Sequence, residues 1–347
     1  MMERRERRYA ILAEGWFANR HAKTAHGLLR YGRDEVVAVL DSTQAGKTTL
    51  DVRADLRRKA PIVSTLREAL EYDPTSLLVG LAPPGGRLPG EWMRMLREAA
   101  EAGLEIVNGL HQRLAPELPG AEVWDVREPP KDIPLFSGAG FDVEPKIVHT
   151  VGTSSAIGKM TATLEMERTA RDAGLRSEFV ATGQTGIIIS GWGICVDAVV
   201  SDFTAGAAEQ LVLEAARREP DLILVEGQGS LGHPAYSGVT LSLMHGSCPD
   251  CLVLCTDAAR EEVFPRIPTP ELPRLIHLYE EVAALVKPAP VVAVSANTSA
   301  LAEAAARDYL QQISRETGLP ACDPVRFGAE PILEAALASP KTSPETS

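Results

Sequence analysis

The chain is short of positive charge, of cysteine and of long apolar runs. Its 35 Lys and Arg face 47 Asp and Glu, a net charge of −12. That balance argues against general affinity for nucleic acid or for anionic lipid, both of which need a basic surface. No stretch approaches the roughly 18 apolar residues needed to span a bilayer. The basic start, Met1 to Arg8, is followed by an apolar run, Tyr9–Ala13, that is too short for a signal-peptide core. Five cysteines in a chain of this length make no disulfide framework, and an odd count suggests reduced thiols. Cys248, Cys251, Cys255 and His245 are the one suggestive cluster. A structural zinc site would show a second ligand pair, and none is present, so no metal is expected. Internal repeats are absent too. These absences describe a soluble, cytoplasmic protein with no membrane and no nucleic-acid partner.

What is present is an ordinary globular composition, 45% hydrophobic and 24% charged over 347 residues, enough for two domains at about 150 residues each. From Tyr9 to Asp125 short apolar runs alternate with turns and amphipathic segments. Strands are expected at Tyr9–Ala13, Val36–Leu40, Pro61–Val63, Ser76–Gly80, Glu105–Asn108 and Glu122–Trp124. Continuous apolar strands between helices imply a parallel sheet covered on both faces. The dinucleotide fingerprint is missing: Ala13-Glu14-Gly15-Trp16-Phe17 has one glycine where three are needed, so NAD binding is not expected. Prolines and glycines between Arg127 and Pro145 mark a linker. Beyond it, strands are expected at Lys146–Val151, Phe179–Thr182, Asp221–Val225, Leu252–Thr256 and Val291–Ser295. Helices fit Lys159–Ala173, Ala205–Arg218, Pro273–Val286 and Ser299–Thr317. The expected fold is α/β: a Rossmann-like parallel-sheet domain over residues 1–135, then a P-loop NTPase-like α/β domain over 136–338. The polar tail, 339–347, reads as disordered.

The strongest local signal runs through Gly152, Thr153, Ser154, Ser155, Ala156, Ile157, Gly158, Lys159, Met160 and Thr161. It lies between a strand and a helix, where a phosphate loop aims backbone N–H groups and a lysine at an anion. Five residues separate its glycines rather than four, a spacing similar to that of dethiobiotin synthetase-like P-loop proteins. The residue after the lysine should carry the hydroxyl that coordinates Mg²⁺. Met160 stands there instead, and Thr161, 100° further round the helix, does not replace it. The loop suits phosphate binding better than metal-assisted phosphoryl transfer.

Other strand ends supply further candidates. Glu226 closes an apolar strand and opens the glycine-rich run that contains Gln228, Ser230, His233 and Tyr236. Glu226 or His233 can take a proton near neutral pH; Glu226 is preferred because burial raises a carboxyl pKa and because His233 sits in a looser loop. The competing reading makes Glu226 a cap on a turn. A second Gly46-Lys47-Thr48 lacks the glycine at position 41 and an apolar helix after it, so it reads first as a polar loop. The alternative is substrate contact through Asp41, Ser42, Lys47 and Thr48. Ala181-Thr182-Gly183-Gln184-Thr185-Gly186 fits a tight loop with Gln184 facing a ligand, or an ordinary turn. Arg87, in a Pro- and Gly-rich loop, can clamp a carboxylate. His111 reads equally as an inert loop histidine.

Taken together these blocks resemble a bacterial and archaeal family long filed as of unknown function, with members described as D-glutamate N-acetyltransferases. The resemblance rests on Ala13-Glu14-Gly15, Asp41-Ser42-Thr43, Ala45–Thr48, Ala82–Pro89, Gly109-Leu110-His111, Val151–Thr161, Ala181–Gly186 and Val225–Tyr236, and it spans roughly Tyr9 to Ala336. This chain reads Thr153-Ser154-Ser155 where many members have Thr-Asp-Cys. The resemblance implies a Rossmann-like domain joined to a P-loop domain, acetyl-CoA as donor and the amino group of D-glutamate, an acidic amino acid, as acceptor. On that reading the phosphate loop holds CoA and the amides of residues 227–230 meet the oxyanion. Lys47 and Arg87 bind the substrate carboxylates from the other domain, in an interdomain cleft. The rival is an ATP-dependent kinase or ligase with Mg-ATP on Lys159 and the metal on Glu226 or Asp41. A nucleotide-binding regulatory protein is a third class. A homo-oligomer is compatible with the sequence.

Overall fold

The computed structural model describes residues 5–81, 86 and 88–344. Two compact units divide the chain. One comprises Met1–Pro129 with Gly183–Ala198, the other Pro130–Thr182 with Val199–Ser347. This differs from the expected single division at 135/136, because the chain leaves the second unit at Thr182 and returns at Val199. The reason is the helix Gln184–Ser190, whose Ile187, Ile188 and Ile189 are buried. It packs on the helix Lys23–Tyr31, with Thr185 Oγ1 3.4 Å from Thr24 Oγ1. Three consecutive isoleucines leave no polar face to turn outward, so the segment is covered all round.

The first unit is built on six parallel strands: β1 (Arg8–Leu12), β2 (Glu35–Leu40), β3 (Ile62–Val63), β4 (Ser76–Val79), β5 (Glu105–Asn108) and β6 (Val123–Asp125). Their order is β3-β2-β1-β4-β5-β6, the doubly wound order of a Rossmann-like sheet. Each strand falls within a residue or two of its expected position. Ala10, Ile11, Leu12, Leu77, Leu78 and Ile106 are fully enclosed, as helices on both faces require.

The second unit carries β7 (Lys146–Gly152), β8 (Ser177–Val180), β9 (Leu222–Val225), β10 (Cys251–Asp257), the short antiparallel pair β11 (Glu262–Phe264) and β12 (Ile267–Pro268), then β13 (Val291–Asn297) and β14 (Ala321–Cys322). The main sheet runs β14-β13-β10-β7-β9-β8, all parallel. Alternation along β10 splits its side chains: Cys251 and Val253 join Val148, Met166, Leu224 and Ile332 on one face. Leu252 and Leu254 join Val151, Met244 and Tyr279 on the other. Both faces are therefore apolar, which is why the strand reads as one unbroken hydrophobic run. Pairing of Cys255 with Gly152, and of Val225 with His149, brings the C-terminal ends of β10, β7 and β9 to one edge.

Part of the tail expected to be disordered is tied down. Lys341 Nζ donates to the carbonyls of Val143 and Glu144, and Thr342 N donates to Asp250 Oδ1. No helix among the described residues is long and apolar enough to cross a membrane.

Candidate active site

The phosphate loop begins where β7 ends and closes on Gly158, which caps the helix Lys159–Asp172 at φ +108°. That dihedral belongs to the left-handed region, and glycine enters it without a Cβ penalty. Thr153 N anchors the loop base on Cys255 O at 2.9 Å. From Ser154 to Thr161 no described acceptor meets a backbone N–H. Ser154 is enclosed, while Ala156 and Gly158 are exposed and Ser155, Met160 and Thr161 half-buried. Unpaired N–H groups at the head of a helix suit an anion. Met160 occupies the second helical position, so the hydroxyl that would meet Mg²⁺ is absent there.

Lys159 is 5% exposed. Its Nζ donates to Ser154 O and to Gly229 O, both at 2.7 Å. Burial pushes its pKa down to about 8, against the opposing pull of Cys255 and Glu226. The lysine thus joins the phosphate loop to the glycine-rich loop after β9.

That second loop is held closely. Gly227 N donates to Thr150 Oγ1 at 2.9 Å, and a Cβ at Gly227 would fall 1.6 Å from Thr150 O. Only glycine lets the chain pass β7 there. The bond to Thr150 also removes Gly227 from the expected oxyanion donors. The N–H groups of Gln228, Gly229 and Ser230 meet no described acceptor. Tyr279, from the helix Leu272–Ala284, clamps both loops: its Oη donates to Gly152 O at 2.8 Å and accepts from Leu231 N at 3.1 Å. Thr240 Oγ1 donates to Gln228 O at 2.7 Å. Neither residue stands out in the sequence, where both look like interior helix positions.

Glu226 is 6% exposed, and its Oε2 accepts the N–H of Thr182 at 3.0 Å. Gln228 Nε2 donates to Thr182 O at 2.7 Å. The carboxylate therefore organises the end of β8 while lying within the electrostatic reach of Lys159. Ser230, fully buried, accepts from Gly232 N at 3.3 Å.

His233 is not loosely held, contrary to the expectation from its loop. Its ring stacks on Tyr236 with centroids 4.5 Å apart and meets the edge of Phe264 at 5.7 Å. His233 Nδ1 accepts the N–H of Ala235 at 3.2 Å. An accepting Nδ1 leaves the ring proton of the neutral form on Nε2. Desolvation, with Lys159 and Arg260 nearby, lowers the His233 pKa, so the ring is neutral at pH 7.

The candidates of the first unit have other occupations. Asp41 is fully buried and accepts from Gly15 N, Phe17 N, Thr43 N and Thr43 Oγ1. It braces the loops after β1 and β2. Ser42 donates through N and Oγ to Glu14. Thr48 forms a capping box with Asp51 on the single helical turn Thr49–Val52. Lys47 is exposed and donates to Gln44 Oε1 at 2.9 Å. Gln184 opens a helix instead of a tight loop, and its Oε1 accepts from Arg127. Arg87 lies outside the described residues.

The cysteines are all reduced and buried. Cys248 Sγ points to His245 O, Cys251 Sγ to Ala336 O, and Cys255 packs with Ile157 and Ala162. Among the described residues no group of three or more His, Cys, Asp or Glu could hold a metal ion.

Two family models match in succession: a domain of unknown function described as Rossmann-like (DUF1611_N) over residues 42–129, and one described as a P-loop domain (DUF1611_C) over 134–333. The chain belongs to the DUF1611 family. A DUF1611 family protein from Anabaena variabilis ATCC 29413, known from a crystal structure, shares 42% identity at a TM-score of 0.89, over 96% of this chain and 99% of that one. A curated relative from Tritonibacter scottomollicae, named D-glutamate N-acetyltransferase, is 38% identical over 79% of this chain and 84% of its own length. Another of the same name, from a Pseudoalteromonas species, is 36% identical over 77% and 82%. This DUF1611 member is an acyltransferase with an N-acetyltransferase role.

Proposed function

We propose that this DUF1611 protein transfers the acetyl group of acetyl-CoA to the amino group of D-glutamate, in the cytoplasm. The kinship with two curated D-glutamate N-acetyltransferases carries the reading. The site supports it: unpaired N–H groups from Ser154 to Thr161 and the Lys159 ammonium suit the diphosphate of a CoA thioester. Met160 removes the hydroxyl that a phosphoryl-transfer enzyme would need for Mg²⁺.

In the reaction the amine nitrogen bonds to the thioester carbonyl carbon, the C–S bond breaks, and CoA leaves as the thiol. An amino acid is an ammonium at neutral pH, so a base must take its proton before attack. Glu226 is that base in our reading. The developing oxyanion meets the free N–H groups of Gln228, Gly229 and Ser230, joined by His233 Nε2–H. His233 thus acts as a donor, since its Nδ1 is engaged by Ala235.

The test is thiol release from acetyl-CoA with D-glutamate in excess EDTA. Activity that persists in EDTA and needs no ATP is expected. Activity that vanishes and returns with Mg²⁺, or ADP formed from ATP, would favour a kinase or ligase.

A further inference from the structure

We propose that a cavity of about 500 Å³ beside the phosphate loop receives the adenosine end of the acyl carrier. This rests on the acyl-CoA reading above. The cavity opens at the C-terminal end of β10, against Thr256 and Asp257, and is closed by the segment Thr269–Pro273 and by the helix Glu303–Thr317. Its wall adjoins the phosphate loop directly: Thr153 N bonds Cys255 O at 2.9 Å, and Thr153 Oγ1 lies 3.4 Å from Thr256 Oγ1.

The sheet order makes the assignment. Adjacent strands β10, β7 and β9 end respectively at the cavity, at the phosphate loop and at Glu226. A CoA thioester has the same three parts in the same sequence: nucleoside, diphosphate, and the arm that ends in the acyl group. With the diphosphate on the N–H groups after β7 and the thioester near Glu226, the nucleoside falls at the end of β10. Neighbouring strands are about 4.8 Å apart, so the three parts spread over a span that a CoA molecule covers.

The lining fits a base and a sugar rather than a bare anion. Tyr309, Pro270 and Leu272 offer flat and apolar surface to a purine ring. Asp257, Glu271 and Glu316 are acceptors for the purine amino group and the one free ribose hydroxyl. Arg260 is the cation at the rim. Its guanidinium has no hydrogen-bond or ion-pair partner among the described residues, which suits the phosphate carried on the ribose.

The experiment uses adenosine 3′,5′-bisphosphate as probe, titrated by calorimetry into the full chain and into two cavity-filling variants, Gln312→Trp and Ala258→Trp. Gln312 is exposed and Ala258 half-buried, so an indole at either position closes the mouth without disturbing the core; equal melting temperatures check this. The expected result is binding to the wild type that weakens at least tenfold in both variants. In the acetyl-transfer assay the KM ratio of acetyl-CoA to S-acetylpantetheine, which lacks the nucleotide, should also rise at least tenfold. No binding to the wild type, or equal binding by all three proteins, overturns the proposal. The two readings fail separately. Bisphosphate binding lost in the variants, without acetyl transfer by the wild type, removes the acetyltransferase reading and keeps the nucleoside site. Acetyl transfer with an unchanged KM ratio does the reverse.

Discussion

Lys159 Nζ stands 2.7 Å from Gly229 O, so one buried ammonium joins the loop that would hold phosphate to the loop that carries the free amides. The same nitrogen donates to Ser154 O. An ammonium has three protons, and two of them satisfy these carbonyls. The third is the one a phosphate can take.

Replacing Lys159 with Ala should weaken acetyl-CoA binding roughly 10- to 100-fold, the range of a charge-assisted hydrogen bond. It should also cost roughly 1–3 kcal/mol of stability, because two buried carbonyls lose their donor. The pH dependence has a definite sign. With a pKa of about 8 in the free protein, the cation is present at pH 7 and is lost as pH rises through 8. Affinity in the wild type should therefore fall by up to tenfold per unit above pH 8, with proton uptake on binding, and the variant should lack this limb. Calorimetry at pH 7, 8 and 9 checks both; identical profiles in the two proteins would remove Lys159 from the phosphate site.

His233 should behave as a donor. Its pKa lies below the ordinary 6.5, so a basic role would make kcat/KM fall as pH drops through that lowered value. A donor role gives no such limb, because Nε2 keeps its proton when the ring becomes cationic. His233→Ala should lower kcat by roughly 10²–10³-fold, the usual loss for one oxyanion donor, with acetyl-CoA affinity little changed. A wild-type acid limb that disappears in His233→Ala would make the histidine the base.

Asp41→Ala is expected to act on folding. Four donors converge on a carboxylate that is wholly enclosed. Leaving them unpaired should cost roughly 2–5 kcal/mol, seen as a lower midpoint in urea denaturation. Loss of activity at full stability would return Asp41 to the list of ligand groups.

The reasons why some parts were legible in the sequence and others were not are physical. Leu252–Thr256 and Leu222–Val225 read as strands because a sheet covered on both faces demands unbroken apolar runs. The phosphate loop was legible because glycine and lysine spacing answers to backbone geometry that only local residues set. Gln184–Ser190 was not: Gly186 and three β-branched isoleucines are weak helix formers, and its helix exists through burial against another helix. The helix Ser237–Ser247, rich in Ser, Thr and Gly, was hidden for the same reason. Asp41 was misleading because its strand-end position suits a ligand, while two of the four donors that occupy it, Gly15 N and Phe17 N, come from the loop after β1. Tyr279 could be read only as one apolar position of an amphipathic helix, although its hydroxyl joins the two site loops.

Glu226 provides the sharpest test of the chemistry. Glu226→Gln keeps an oxygen to accept the Thr182 N–H, so the loops should stay in place while the basicity goes. Turnover at neutral pH should drop roughly 10²–10⁴-fold, with acetyl-CoA affinity little changed because the phosphates lie on the other loop. A free amine needs no base, so at saturating acetyl-CoA the deficit should shrink as pH rises toward the pKa of the substrate ammonium. That recovery separates a base from a loop organiser: a merely structural carboxylate would give a loss that is constant with pH and extends to acetyl-CoA binding. If Glu226→Gln keeps near-normal turnover at all pH values while His233→Ala loses it, the two roles are exchanged.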